Sequence, residues 1–314
     1  MKRSMEVIPA GTTAELQPQV NNMSGATSDG HLISLWLNQK ARRSKNTKRV
    51  YEHEVERFFD VVRKPLRAVT VLDMQRYMER LEGLGLAPAT QARALSTIRS
   101  LFSFAQKTGY VQFNVTQVME LPKVHITTEF NFLTEAEAQK LLDTLRPNLR
   151  NYTIAALILK TGLRVSEVAR INLGDIYQDA SGNLGLQVIG KGQKVRKVKL
   201  TRDLMGLIED YVEETGRIWL DVEAPLFLNR FSERLSTVSI WKVIREGAKE
   251  AGITKKVTPH TLRHSFATLA VVGGATLSQV QEACGHTDIR TTQRYEHSAK
   301  ALTDTASDYV RLVV

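Results

Sequence analysis

The chain has 314 residues, of which 42% are hydrophobic and 24% charged, with a formal net charge of +10 and one cysteine, Cys284. That length and apolar content allow one large or two modest domains with a true core. No run approaches the ~18 apolar residues of a membrane-spanning helix, and one cysteine excludes an intrachain disulfide or a cysteine-rich zinc site. The basic balance suits a polyanionic partner. The N-terminus lacks the apolar stretch of a secretory signal, so the expected location is the cytoplasm.

Residues 1–29 are rich in Gly, Ser, Thr, Asn, Gln and Pro and read as a flexible tail. Residues 30–112 follow a helical pattern. It begins at "LISLWLNQ". Ser44 then precedes "KNTKRVYEHEVERFFDVV" as a candidate N-cap, with Val50, Val55, Phe58, Phe59 and Val62 on one face. Pro65 ends that helix. Thr70 can cap "VLDMQRYMERLEG", which Gly83 and Gly85 stop. Pro88 stands near the start of "PATQARALSTIRSLFSFAQKTG", and Gly109 near its end. A bundle of about four helices on short loops is predicted. The run "KARRSKNTKR" carries Lys40, Arg42, Arg43, Lys45, Lys48 and Arg49 with no acid. With Arg93 and Arg99 on the later helix, these are candidate phosphate contacts of a DNA-gripping module.

Residues 113–129 have weak periodicity and read as a linker, leaving 130–314 as a second domain. Thr134 and Glu137 form a capping box before "EAEAQKLLDTL". "NYTIAALILKTG" reads as a buried helix. In "LGLQVIGKGQKVRKVKL" apolar and basic residues partly alternate around Gly190, which predicts a β-hairpin with basic side chains, Lys194 and Arg196 among them, on its open face. Helices return at "RDLMGLIEDYVEETG", "STVSIWKVIREGAKEAG" and "TLRHSFATLAVVGG". The fold class is mainly α with a small β-hairpin or sheet.

A few residues carry chemistry. Arg164 follows a glycine at the opening of a short helix, with Glu167 within reach one turn on. His260 and Arg263, spaced i and i+3 behind Pro259, share one face of a helix whose N-terminus favours anions. His264 is read as pointing elsewhere and structural. His286 follows Gly285, and Tyr295 comes nine residues later. Singly, these are a solvated arginine, a turn and a packed tyrosine. The histidines His260, His264, His286 and His297 have no zinc-type carboxylate pattern, and H-E-x-x-H is absent, so no metal site is expected. Together the set suits one reaction. Arginine forks bind phosphate oxygens, a tyrosine can attack a phosphodiester, and a lysine or histidine can protonate the departing sugar oxygen.

The blocks "TGLRVSEVARINLGDI", "GKGQKVRKVKL" and "TPHTLRHSFATLAVVGGATLSQVQEACGHTDIRTTQRYEH", with the helical "APATQARALSTIRSLFSFA", resemble the tyrosine recombinase family near its Xer-type and phage-integrase branch. The resemblance runs over nearly all of residues 31–300. It implies a helical SAM-like core-binding domain and a catalytic domain forming a C-shaped clamp on DNA. It assigns Arg164 and Arg263 to the phosphate, Lys191 to protonating the leaving 5′-oxygen (with Lys194 as rival), and His260 to proton transfer at the tyrosine. His286 would bond the phosphate, Tyr295 would be the nucleophile, and Glu167 would support Arg164. No cofactor is implied. The implied partners are double-stranded DNA with inverted binding arms and further copies of the chain in a tetramer on two sites, with a second recombinase or accessory protein as a variant. A C-terminal segment, residues 302–314, is expected to exchange between protomers, and the short N-terminal tail leaves no room for an arm-site domain. The chain departs from the family at Ala283-Cys284, where two leucines are frequent, and in its ending. A type IB topoisomerase and a catalytically silent DNA-binding regulator remain the alternatives.

Overall fold

The computed structural model describes residues 22–41, 45–120, 131–190 and 194–285, in two compact units that divide between Ile126 and Thr127. The first unit is helical. Its elements are α1 (Asp29–Ala41), α2 (Lys45–Val62), α3 (Val71–Gly83) and α4 (Pro88–Lys107). Local chemistry sets the boundaries. Thr70 accepts from the Asp73 amide while the Asp73 carboxylate takes the Thr70 amide, a reciprocal cap for α3. Pro88 opens α4, and Gly109, at φ +70°, ends it in the left-handed region. The predicted face of α2 turns inward: Phe58 is fully buried and meets Tyr77 and Phe102 edge-on, at ring separations of 5.1 and 6.1 Å. Trp36, Leu81, Ile98 and Leu101 complete that core.

Both ends of this unit differ from the sequence reading. Within the stretch assigned to the tail, the Asn22 side chain donates to the Ala26 carbonyl, and Ala26 is buried in the bundle. The Asp29 carboxylate then accepts from Tyr110 Oη (2.7 Å) and the Leu66 amide (2.8 Å), tying three segments together. At the other end, residues 113–119 are more than a linker. A short 3₁₀ turn at Val115–Val118 sits on the bundle, with Asn114 and Thr116 buried. Arg99 donates to the carbonyls of Thr116 and Met119. Arg99 thus acts as a tether within the unit, its half-buried guanidinium satisfying backbone acceptors.

The second unit has α5 (Glu135–Leu145), α6 (Leu149–Thr161), α7 (Val165–Val168), β1 (Ile176–Gln178), β2 (Leu184–Ile189) and β3 (Val195–Lys199). It continues with α8 (Arg202–Glu214), α9 (Thr237–Glu250), α10 (Pro259–Val272) and α11 (Leu277–Cys284). The Thr134–Glu137 capping box starts α5 as predicted. Helix α6 is the central element and packs on α5, α8 and α10, with Ile154, Ala155, Leu157 and Ile158 buried. The hairpin is present, with a third strand the sequence reading did not foresee: β1 pairs antiparallel with β2, giving the order β1-β2-β3. In the register, Leu186 faces Val198 and Val188 faces Arg196. Leu186, Val188 and Val198 are buried, so Arg196 starts from the inward face of β3 while Lys197 and Lys199 are exposed.

Candidate active site

The site is assembled at the ends of helices. Helix α6 stops at Gly162, whose φ of +66° is left-handed and whose amide closes on the Ile158 carbonyl at 2.9 Å. A Cβ at Gly162 would lie 2.3 Å from a Phe266 ring carbon, so both conformation and space require glycine. Two residues on, Arg164 is the N-cap of α7. Glu167 reaches back: its Oε2 accepts from the Arg164 amide at 2.8 Å and its Oε1 from Arg164 Nη1 at 3.0 Å. Glu167 thus holds Arg164 at two points. A third of the Arg164 side chain stays accessible (34%), whereas that of Glu167 is buried (3%).

A second arginine shares that carboxylate. Arg196 places Nη1 2.8 Å from Oε1 and Nη2 2.9 Å from Oε2 of Glu167, a bidentate fork. Burial by itself would push the Glu167 carboxyl up. The hydrogen bond from Arg196, the Arg164 amide and the two positive charges outweigh it and hold the pKa below the ordinary value. The Arg196 side chain is only 15% exposed and is turned into the unit, where the sequence reading expected it on the open face of the hairpin.

Helix α10 supplies the third arginine. Thr258 and Thr261 cap its start, with Pro259 at the first turn. Arg263 lies on its inner side, 2% exposed, with Nη1 donating to the Gly162 carbonyl and Nη2 to that of Cys284. His260, one turn earlier, is exposed. Its pKa is lowered, first by partial desolvation of the ring and then by the charges of Arg263 and Arg164, which favours the neutral form. His264 does not point away, as the sequence reading had it. The two imidazoles are 4.1 Å apart at 60°, because residues i and i+4 overlie on a helix.

The three arginines converge on one turn. Helix α11 ends at Cys284, and Gly285 follows at φ +59°. Arg196 Nε donates to the Ala283 carbonyl (3.3 Å), Arg263 to Cys284, and Arg164 Nη2 to Gly285 (3.0 Å). These are carbonyls at a helix C-terminus, lacking intrahelical donors and lying at the negative end of the dipole, where cationic donors fit best. Cys284 is fully buried beside Gly162, and burial raises its thiol pKa. It is a core residue.

Of the sequence-predicted residues, Arg164, Glu167, Arg263 and His260 are brought together. Lys191, His286 and Tyr295 lie outside the described residues, as do Arg42, Arg43 and the expected exchange segment. Lys45 opens α2. Lys194 is exposed where β3 begins, its carbonyl accepting from the Gly190 amide at 2.8 Å. In the first unit, Lys40 lies 6.0 Å over the Trp36 ring, Lys48 pairs with Glu52 at 3.7 Å, Arg93 with Glu54 at 3.6 Å, and Arg49 is exposed. Among the described residues no cluster of His, Cys, Asp or Glu could hold a metal ion, and no helix is long and apolar enough to cross a membrane.

Comparison with known proteins agrees with this architecture. Residues 33–109 match the phage integrase N-terminal SAM-like domain, and residues 131–301 match the phage integrase family. Tyrosine recombinase XerD of Staphylococcus saprophyticus is 39% identical over 239 residues, covering 73% of this chain and 78% of that protein. XerD of Listeria monocytogenes is 34% identical over 273 residues, covering 82% and 89%. Among solved structures, the XerH site-specific recombinase bound to palindromic difH substrate superposes with a TM-score of 0.71 at 23% identity, over 90% of this chain and 84% of that one. At that identity the likeness concerns the fold. With matches of this extent in both units, the chain belongs to the phage integrase family.

Proposed function

We propose that the protein is a site-specific DNA recombinase that cuts and rejoins strands through a tyrosyl–DNA ester. The observation that carries the reading is the convergence of Arg164 and Arg263 on the carbonyls of Gly285 and Cys284, the turn that runs directly into His286. The XerD and XerC names of its relatives, at 31–39% identity, support the same activity.

In this mechanism Arg164 and Arg263 present planar donor forks to the nonbridging oxygens of the scissile phosphate, and His286 adds a hydrogen bond. The Tyr295 oxygen attacks phosphorus, the P–O5′ bond breaks, and Lys191 gives its proton to the departing 5′-oxygen. His260, neutral at pH 7, accepts the phenol proton. One phosphoester replaces another, so no ATP is consumed. Fixed positive charge offsets the charge that develops on phosphate, and the chemistry calls for no cofactor. The 5′-hydroxyl of a partner duplex then attacks the phosphotyrosyl ester and restores the phenol. Two such rounds pass through a Holliday junction.

Recombination would need four protomers on two duplex sites with inverted arms, in a closed ring. Residues 30–112 would be the core-binding domain and residues 130–314 the catalytic domain. The final residues, 302–314, would pass to a neighbour. The cytoplasm, where chromosomal DNA is accessible, is the proposed location.

The test is a nicked suicide substrate built on the protein's own selected binding site. Wild type should yield a covalent protein–DNA adduct that survives denaturation, and Tyr295→Phe should yield none while binding the same DNA. An adduct from both proteins would remove Tyr295 from the role. None from either would leave only a DNA-binding protein.

A further inference from the structure

We propose that Arg196 is a positioning residue of this site: it struts β3 against Glu167 and the end of α11, so that Arg164 and the turn into His286 are set together. The inference rests on the recombinase reading above and adds a residue to it.

Four observations carry it. First, Arg196 uses its three nitrogen positions in two directions at once. Nη1 and Nη2 grip both oxygens of Glu167 at 2.8 and 2.9 Å, while Nε reaches the Ala283 carbonyl at 3.3 Å. Second, Glu167 is the group that holds Arg164, through the amide and Nη1. A buried carboxylate sharing two guanidiniums fixes each in relation to the other. Third, the glycines flanking the contact leave it room. A Cβ at Gly285 would stand 3.2 Å from the Arg196 side chain, and one at Gly190 3.4 Å from its Nη1. Fourth, Arg196 leaves β3 on the face of Val198 and opposite Val188, both buried, so the strand register aims it inward.

Arg196 also links the hairpin mechanically to the site. Lysine in place of Arg196 could supply a charge but neither the planar fork nor the Nε donor. A positioning residue is expected to act on the rate of strand cleavage and to leave DNA affinity alone. A phosphate contact would do the reverse, and its removal would flatten the salt dependence of binding by about one unit of slope.

The experiment compares wild type, Arg196→Met, Arg196→Lys and Glu167→Gln, singly and with Arg196→Met joined to Glu167→Gln. Single-turnover adduct formation on the nicked suicide substrate and equilibrium binding across a salt series are measured, with thermal melting as the check on folding. Arg196→Met should cleave about a hundredfold more slowly, the scale on which small misplacements of reacting groups act. Its affinity and salt slope should match wild type. Arg196→Lys should recover part of the rate, and the double variant should be little slower than either single one, because both break the same strut. A fall in affinity with a shallower salt slope would make Arg196 a DNA contact and overturn the proposal. So would wild-type cleavage by Arg196→Met, or rate losses that multiply in the double variant. If Arg196→Met does not fold, Arg196→Lys and Glu167→Gln decide: cleavage by both at the wild-type rate overturns it. Failure of wild type itself to form an adduct would instead refute the recombinase reading.

Discussion

At the scale of single residues, the site is organised by where positive charge finds backbone oxygen. Arg164, Arg196 and Arg263 each take one of three consecutive carbonyls, and Glu167 balances two of the three. His260 is a member of the site that titrates on the functional pH scale. Its pKa is held below the ordinary value of 6.5, so the neutral form dominates at and above that pH. A depressed histidine contributes stability that is complete above 6.5 and is lost as pH falls through the folded-state pKa. The proposed base role follows the same sign. Adduct formation should therefore be retained at neutral pH and decline on the acid side, later than for an ordinary histidine, and His260→Gln should be slower throughout and lack that decline. A decline beginning well above pH 6.5 would take the base role from His260.

At the scale of elements, helix ends carry the design. α6 ends where the Arg164 segment begins, α10 begins at Pro259 with His260 in its first turn, and α11 ends where the arginines meet. Gly162 is the tightest of these junctions. Alanine there would meet the left-handed backbone penalty, about 1–2 kcal/mol, plus the clash with Phe266. Gly162→Ala should lose at least about 2 kcal/mol in urea unfolding and also displace the carbonyl that Arg263 holds, so cleavage should fall with stability. Wild-type stability in that variant would contradict the packing argument. The Thr134 capping box and the Thr70 cap, by contrast, were legible from the sequence, because a cap is a local device, although the reciprocal Asp73 contact at Thr70 was not foreseen.

At the scale of the whole molecule, the net charge of +10 decides the manner of DNA binding. Exposed basic residues occur in both units, Arg49 in the first and Lys194, Lys197 and Lys199 in the second. Binding that neutralises several phosphates weakens steeply with salt. Affinity for the selected site should drop about a thousandfold or more between about 50 and 200 mM salt, measured by fluorescence anisotropy. A nearly flat dependence would mean that few phosphates are contacted.

The helices, their caps and the core faces were readable in the chain itself. They follow from apolar spacing and from partners three or four residues away. The hairpin was readable too, but β1 was not: a three-residue strand carries too little alternation to stand out, and it exists because β2 offers it an edge. The fates of individual arginines divide along the same line. Arg164 and Glu167 sit one turn apart, so their pairing could be anticipated. Arg196 was counted among surface cations although it shares a strand face with Val198, a clue that alternation held and charge concealed. The carbonyls that Arg99 binds were hidden in the same way. An arginine's charge is visible in sequence, but its partner is set by which distant carboxylate or carbonyl the fold brings within 3 Å, and for Arg196 those partners, Glu167 and Ala283, come from other elements. Composition and period thus determined the secondary structure and the basic character. Tertiary structure alone decided which cations face solvent and which are drawn inward to build the site, because only burial leaves backbone and carboxylate oxygens in need of a charged donor.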